Sequence, residues 1–215
     1  MGIIRGGILG GFRKKAGAVI GSYWRSLDVI KGLPRISNKP ATQAQLDQRS
    51  KFGMVTGFFS YLGDLIEVGY KALSGVETPM NTAVSYHLKN AVTGVSPNFT
   101  MDYPKVMFSQ GKVKKGANAV VLATTVAELD FSWTFSGSDG SLEKGDDRLS
   151  ILVYNRDKHD FVTIKDIVAR SVGAYTLALP VDFSGDLVHV YIGFTSFFNK
   201  LKVSDSQYLG SFTIL

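Results

Sequence analysis

Residues 128–135 read ELDFSWTF, a stretch in which apolar and polar side chains alternate. Because successive side chains of a β-strand point to opposite faces, Leu129, Phe131, Trp133 and Phe135 would share one face. This pattern is typical of a strand with one face in a hydrophobic core and the other in water. We therefore predict a strand here and place its four apolar side chains in the core.

The same period of two continues outwards from this strand, over residues 104–215. Clusters rich in Gly, Ser, Asn and Asp interrupt the apolar runs at the spacing that turns have in a small sandwich. The pattern predicts a C-terminal antiparallel β-sandwich that resembles immunoglobulin and fibronectin type III domains. Its predicted strands cover residues 105–109, 119–125, 128–135, 148–154, 161–167, 174–179, 187–194 and 207–214.

Upstream of the sandwich, residues 42–103 have the period of helices. Thr42 opens a capping-box pattern, and the apolar stripe that follows predicts a helix that reaches Ile66. A second helix is predicted over residues 79–92, with Thr78 as its N-cap. The chain is thus predicted to be mainly β with a helical segment, in three parts: a basic Gly-rich β arm and linker (1–41), two helices (42–103) and the sandwich (104–215).

The N-terminal arm differs from the rest of the chain in charge. Residues 1–40 contain eight Lys or Arg residues and one acid, Asp28, which gives this arm a charge of +7. The whole chain has a net charge of +6, so the remaining 175 residues sum to −1. Such an asymmetry indicates that the arm is an interaction segment.

Residues 17–33 of the arm alternate as a strand or hairpin would, with Arg25 and Ser26 as a plausible turn. Large apolar side chains occur at both odd and even positions, so both faces of the hairpin need cover. An isolated hairpin is marginally stable, and we expect this one to dock on the rest of its own chain or on another subunit. The predicted subunit-interface residues are Ile20, Tyr23, Trp24, Leu27 and Ile30.

The arm also combines cations with aromatic rings, which is typical of single-stranded nucleic-acid platforms and of protein interfaces alike. Arg13, Lys14, Lys15 and Arg25 are the candidates for contact with an anionic partner. In a third interpretation, the arm folds onto the rest of its own chain and these charged side chains face water. The arm alone does not decide between them.

The sequence indicates no enzyme class. The chain has no cysteine, and its three histidines, His87, His159 and His189, lie outside known catalytic and metal-binding motifs. The acid-rich stretches 139–147 and 157–160 fit solvated turns better than calcium loops, because they lack the EF-hand spacing. We expect no enzymatic activity, no cofactor and no metal site.

Neither a secretion signal nor a membrane span is indicated. The basic cluster at Arg13 follows the apolar start of the chain, whereas a secretion signal has its charge first. The longest uncharged apolar run, residues 52–63, is much shorter than the roughly 20 residues that a spanning helix needs. We expect synthesis in the cytoplasm, with an extracellular particle or filament left open as the destination.

Three stretches carry a resemblance to a known family. They are residues 2–21 (GIIRGGILGGFRKKAGAVIG), 28–31 (DVIK) and 40–52 (PATQAQLDQRSKF). Together they resemble a family of unknown function from Bacteroidota, with members of similar length; the resemblance implies no activity, cofactor or catalytic residue. The Gly-rich arm followed by the TxxQLxxRxxF helix is also loosely similar to phage structural proteins.

These observations favour a structural protein that assembles with itself into a filament or a phage-like particle, its arm docking on neighbouring subunits. One alternative is a binding module for an anionic polymer such as nucleic acid. Another is a glycan-binding or surface adhesin, which would place aromatic rings in exposed sandwich loops; Tyr154 and Tyr208 lie near predicted strand ends.

Overall fold

The computed structural model describes residues 2–4, 10–24, 27–35, 39–136 and 142–215. It divides into two compact units, Met1–Thr42 and Gln43–Leu215. The first is the Gly-rich arm. The second contains the helices and the sandwich together.

The N-terminal unit contains a four-stranded antiparallel sheet. Its two longer strands are central and pair with each other, while the three-residue strands form the edges. The order is β1-β4-β3-β2, with β1 Gly2–Ile4, β2 Lys14–Ala16, β3 Val19–Trp24 and β4 Leu27–Gly32. The predicted hairpin is therefore the centre of a small sheet, which we call the arm sheet.

Glycine has a packing role in the arm sheet at one position above all. A Cβ on Gly21 would overlap the carbonyl oxygen of Phe12, so only glycine lets the segment before β2 cross β3 this closely. Gly21 is also buried, although it lies in a strand that is otherwise half-exposed. This close contact explains the glycine at position 21, whereas a Cβ on Gly10, Gly17 or Gly32 would meet no atom within 4 Å.

The second unit contains a sandwich of two antiparallel sheets. A four-stranded sheet has the order β10-β9-β12-β13, and a three-stranded sheet has the order β11-β8-β7. Strands β9 and β12 are central and buried along almost their whole length. The strands are β7 Ala117–Leu122, β8 Glu128–Thr134, β9 Arg148–Asn155, β10 Asp160–Ile164, β11 Ala174–Ala178, β12 Leu187–Thr195 and β13 Gln207–Thr213.

The main core lies between these two sheets. Leu129, Phe131 and Trp133 on β8 are buried in it, as the alternation in this strand predicts. Seven of the eight predicted sandwich strands correspond to these seven strands. The prediction of a mainly β fold with a C-terminal sandwich and a helical segment is confirmed.

Three helices form a further layer. They are α1 Gln43–Ser60, α2 Gly63–Tyr70 and α3 Pro79–Asn90, and Thr78 caps α3 by accepting a hydrogen bond from the Asn81 amide at 3.2 Å. A second core joins them to Leu152 of β9 and Tyr191 of β12, whose side chains lie on the face of the sheet away from the main core. The helices therefore cover the outer face of the four-stranded sheet.

The helical segment departs from the prediction in two ways. The first predicted helix is two helices, because the chain leaves helical geometry at Leu62, with φ −106° and ψ 16°, and restarts at Gly63. A short hairpin that the sequence did not predict follows α3, formed by β5 Val92–Val95 and β6 Asn98–Met101. Its strands have four residues each and few buried side chains, so they leave little periodic signal.

The predicted strand at residues 105–109 is wrong. Tyr103–Lys105 forms a turn of 3-10 helix, in which the Val106 amide donates to the Tyr103 carbonyl at 3.0 Å, and the two amides after it bond to side chains instead of to a strand. The Met107 amide donates to His87 Nε2 at 2.9 Å, and the Phe108 amide donates to Ser206 Oγ at 3.0 Å. The segment is extended and apolar, but no neighbouring strand pairs with it along its length.

One acid-rich stretch is also not a solvated turn throughout. Glu143 and Asp147 are buried and form ion pairs with the fully buried Arg170, at 3.7 and 3.4 Å. The Arg170 guanidinium also donates to the Lys114 carbonyl at 2.8 Å and lies 3.9 Å from the centre of the Phe194 ring. These acids therefore compensate a buried cation, which explains why they occur in a loop next to the core.

Candidate functional site

The arm sheet separates the five predicted interface residues onto two faces. In the hairpin register Trp24 is opposite Leu27 and Tyr23 is opposite Asp28, and directly opposed side chains lie on the same face. Ile20, Trp24 and Leu27 therefore share one face with Val29 and Ile3, which we call the Trp24 face. Tyr23 and Ile30 lie on the other, the Tyr23 face.

Odd and even positions do not map onto the same faces in the two strands. Because Trp24 pairs with Leu27, each even-numbered residue of β3 is opposite an odd-numbered residue of β4. Both faces still carry large apolar groups, as expected. Trp24 and Ile3 on one face are 54% and 53% exposed, and Tyr23 on the other is 52% exposed.

The predicted cations are divided between the same faces. Lys14 pairs with Gly21 and so lies on the Tyr23 face, whereas Lys15 pairs with Ile20 and lies on the Trp24 face. The Arg13 guanidinium carbon lies 5.1 Å from the centre of the Tyr23 ring, within range of a cation–π contact. Arg25 lies outside the described residues.

A second candidate site is a groove in the larger unit, with a volume of about 780 Å³. Its walls come from α1, from the β5–β6 hairpin and from the turn that joins β9 to β10. We call it the aromatic groove, because six of its lining residues carry benzene rings: Phe58, Tyr61, Phe99, Tyr103, Tyr154 and Phe161.

The rings of the aromatic groove pack against one another. Phe58 meets both Tyr154 and Phe161 edge to face, with ring centres 5.0 and 5.1 Å apart. Tyr61 stacks on Phe161 at 5.7 Å and 22° and is itself 74% exposed. The groove therefore has a fixed aromatic floor and one ring that stands largely in solvent.

The charged and imidazole groups of the aromatic groove come from the turn that joins β9 to β10, and Ser60 and Thr100 add hydroxyls on the other walls. The Tyr154 hydroxyl and His159 Nδ1 are 3.0 Å apart, and burial raises the pKa of the Tyr154 phenol. Arg156 lines the groove beside them, and no carboxylate of the described residues lies within 4 Å of its guanidinium. An unpaired cation beside aromatic walls is a binding feature, because guanidinium groups recognise anions through directed hydrogen bonds.

Comparison with known proteins identifies the family. The model of a family of unknown function, DUF6266, matches residues 11–210. This chain belongs to DUF6266. No curated protein sequence matches it.

Among solved structures, one similar chain is the fn3 domain of the human collagen alpha-1(XX) chain. It is 14% identical in sequence, the match covers 49% of the DUF6266 chain and 88% of the collagen domain, and the TM-score is 0.35. Nothing in this match or in the family description names a reaction, a ligand or a partner.

Within the part of the DUF6266 chain that the structure describes, no group of three or more His, Asp or Glu side chains is placed to hold a metal ion. No helix of that part is long and apolar enough to cross a membrane. The candidate sites are the two faces of the arm sheet, which the sequence indicated in part, and the aromatic groove, of whose lining the sequence indicated only Tyr154.

Proposed function

We propose that this protein is a non-enzymatic structural protein that assembles with copies of itself through the Trp24 face of its arm sheet. The observation that carries the proposal is the exposure of Trp24 and Ile3 on a face that also holds Ile20, Leu27 and Val29. Large exposed apolar side chains gathered on one face are typical of protein interfaces, and Trp is enriched among the residues that dominate binding energy.

The register favours docking by a face over addition of a strand. Strands β3 and β4 pair with each other along their whole length, and β2 and β1 pair with their outer edges at residues 19–21 and 28–30. The outer strands of the described arm sheet, β1 and β2, are three residues long, and β2 contains Lys14 and Lys15. Short edges with lysine are typical of sheets that avoid pairing with further strands.

If the arm of one subunit docks on a different surface of the next subunit, each added subunit offers the same contact again. The assembly then grows as an open filament, unless the rotation between neighbouring subunits closes it into a ring. A repetitive filament or particle, phage-like or extracellular, is the product that this geometry would give. A source in Bacteroidota and a phage-like role stay predictions within this proposal.

The test is a pair of variants at neighbouring positions on opposite faces. We expect Trp24→Ser to reduce assembly strongly, because it removes the largest apolar group of the Trp24 face, whereas Tyr23→Ser should leave assembly intact. Light scattering and negative-stain electron microscopy of the full-length protein, at low and at high salt, measure the outcome. Wild-type assemblies should persist in salt, since burial of apolar surface is not screened by ions.

Other outcomes of this pair would count against the proposal. A wild-type protein that is monomeric at both salt concentrations contradicts self-assembly. Equal loss of assembly in both variants would mean that the interface is not confined to the Trp24 face.

The Tyr23 face supports a second candidate function, contact with an anionic polymer. Arg13, Lys14 and the Tyr23 ring lie together there, and aromatic rings beside cations are the elements of single-stranded nucleic-acid binding. Under this alternative Tyr23→Ser would weaken binding to single-stranded DNA and Trp24→Ser would not. Binding of this kind would also fall steeply as salt is raised.

A further inference from the structure

We propose that the aromatic groove is a binding site for an acidic saccharide, an oligosaccharide that carries a carboxylate. The described residues that line it all belong to the larger unit, between positions 53 and 161. The size of the groove, about 780 Å³, lies within the range of pockets that hold small ligands, roughly 300–1,000 Å³.

The walls of the groove determine the shape of the ligand. The exposed face of Tyr61, stacked on Phe161, offers a flat apolar surface next to the floor formed by Phe58. A ligand that fits must therefore present flat apolar faces to these rings. The C–H faces of a pyranose ring have this property, and the hydroxyls around its rim remain free for polar contacts.

The polar side of the groove determines the remaining chemistry. The Tyr154 hydroxyl and His159 Nδ1 bond to each other, and among the described residues the second ring nitrogen of His159 has no partner, so a purely apolar ligand that covered it would leave it unsatisfied. Such burial is costly, so a ligand with hydroxyl groups at this position fits better than a hydrocarbon. The combination of apolar faces and hydroxyl edges is the chemistry of a sugar.

The charge on the groove selects for an acid. Arg156 has no carboxylate partner among the described residues, and the Lys51 ammonium lies 4.4 Å from the centre of the Phe99 ring, another wall of the groove. A carboxylate on the sugar could accept two parallel hydrogen bonds from the Arg156 guanidinium, as a bidentate pair. A uronic acid oligomer satisfies the walls, the hydroxyl-binding side and the charge together.

Two methionines allow the proposal to be tested on the full-length protein. Met54 and Met101 line the groove, whereas Met80 and Met107 do not. In a sample labelled with ¹³C at the methionine methyl groups, trigalacturonate should shift the signals of Met54 and Met101 and leave those of Met80 and Met107 in place. The neutral trisaccharide maltotriose should bind more weakly by about tenfold or more, since it cannot form the charged hydrogen bonds.

Two substitutions separate the contributions of charge and ring. Arg156→Gln should weaken trigalacturonate binding by about tenfold or more and leave the weak binding of maltotriose unchanged. Tyr61→Ala, at a largely exposed ring, should weaken both sugars. Lys112→Gln is the matched control, because it removes an equal charge at an exposed position outside the groove and should change neither.

Three results would overturn the proposal. One is the absence of any shift of Met54 and Met101 with trigalacturonate at millimolar concentration. Another is equal affinity for trigalacturonate and maltotriose, which would show that Arg156 does not select a carboxylate. The third is binding of an aromatic acid such as indole-3-acetate in place of the sugar, which would reassign the groove to flat aromatic carboxylates.

Discussion

At the scale of single residues, His87 shows how a buried titratable group is fixed in one form. His87 lies in α3, and its ring is fully buried against the segment that follows β6. The Nδ1–H donates to the Ala83 carbonyl at 2.7 Å, and Nε2 accepts from the Met107 amide at 2.9 Å. Both nitrogens are thus satisfied only in the neutral ring, and burial lowers the pKa of His87 to about 4.

This pKa predicts that the protein becomes less stable in mild acid. In the unfolded chain His87 has its ordinary pKa of 6.5, so between pH 6.5 and about 4 the unfolded state binds a proton that the folded state does not. The free energy of unfolding should therefore fall as pH is lowered through this window, by about 3 kcal/mol at most from His87. Urea unfolding at pH 7, 5.5 and 4 measures the loss.

The wild-type protein over the same pH range is the control. His87→Gln should be less stable than the wild type at pH 7 and should show a smaller loss of stability between pH 7 and 4. Burial also lowers the pKa of His189, which adds to the loss in the same direction in both proteins. An unchanged pH dependence in His87→Gln would contradict this assignment.

At the scale of elements, two helical glycines that look alike in sequence have opposite roles. A Cβ on Gly69 in α2 would overlap the carbonyl oxygen of Phe108, whereas a Cβ on Gly57 in α1 would meet no atom within 4 Å. Gly69 thus permits α2 to approach the extended segment that carries Phe108. Gly57 has no comparable contact, so glycine there only lowers the stability of the helix.

Substitution of these two glycines should change stability with opposite signs. We expect Gly69→Ala to destabilise the protein by about 1–3 kcal/mol, because the backbone must move to make room. Gly57→Ala should stabilise it by about 0.5–1 kcal/mol, because alanine favours the helix and restricts the unfolded chain. Urea denaturation of both variants at pH 7 provides the comparison, and a neutral Gly69→Ala would show that α2 is less tightly held than described.

The elements that the sequence predicts well are those whose signal is local. The alternation around Trp133 is enough to predict β8, and turn residues on either side of each apolar run bound the other sandwich strands. The extended segment near Phe108 has the same apolar composition but pairs through side chains of His87 and Ser206, which lie far away in sequence. Composition cannot distinguish the two cases, because the difference lies in the partner.

The same reason explains why the aromatic groove was not predicted. Its walls come from α1, β6 and the β9–β10 turn, so residues such as Tyr61, Phe99 and Arg156 meet only after folding. Each of them looks ordinary in its own stretch of sequence. The central hairpin of the arm sheet is easier to predict, since its two strands are neighbours in the chain, but the faces on which their side chains lie depend on the register between the strands.

At the scale of the whole molecule, the division into two units has a consequence for stability. The described residues of both hydrophobic cores belong to Gln43–Leu215. Among the described hydrophobic residues of Met1–Thr42, Val29 alone is fully buried. A unit of 42 residues is close to the lower limit at which a chain without disulfides or metals folds by itself. The larger unit therefore holds the apolar burial that stabilises the protein.

We expect a protein that comprises residues 43–215 to fold without the arm and to unfold cooperatively. Its free energy of unfolding should lie within about 1 kcal/mol of that of full-length Trp24→Ser. This variant is the reference because assembly would raise the apparent stability of the wild type. Urea denaturation of both proteins followed by near-UV circular dichroism measures this difference. If removal of residues 1–42 lowered the free energy of unfolding by several kcal/mol, the arm would contribute to the stability of the larger unit. The arm would then be less available for a neighbouring subunit.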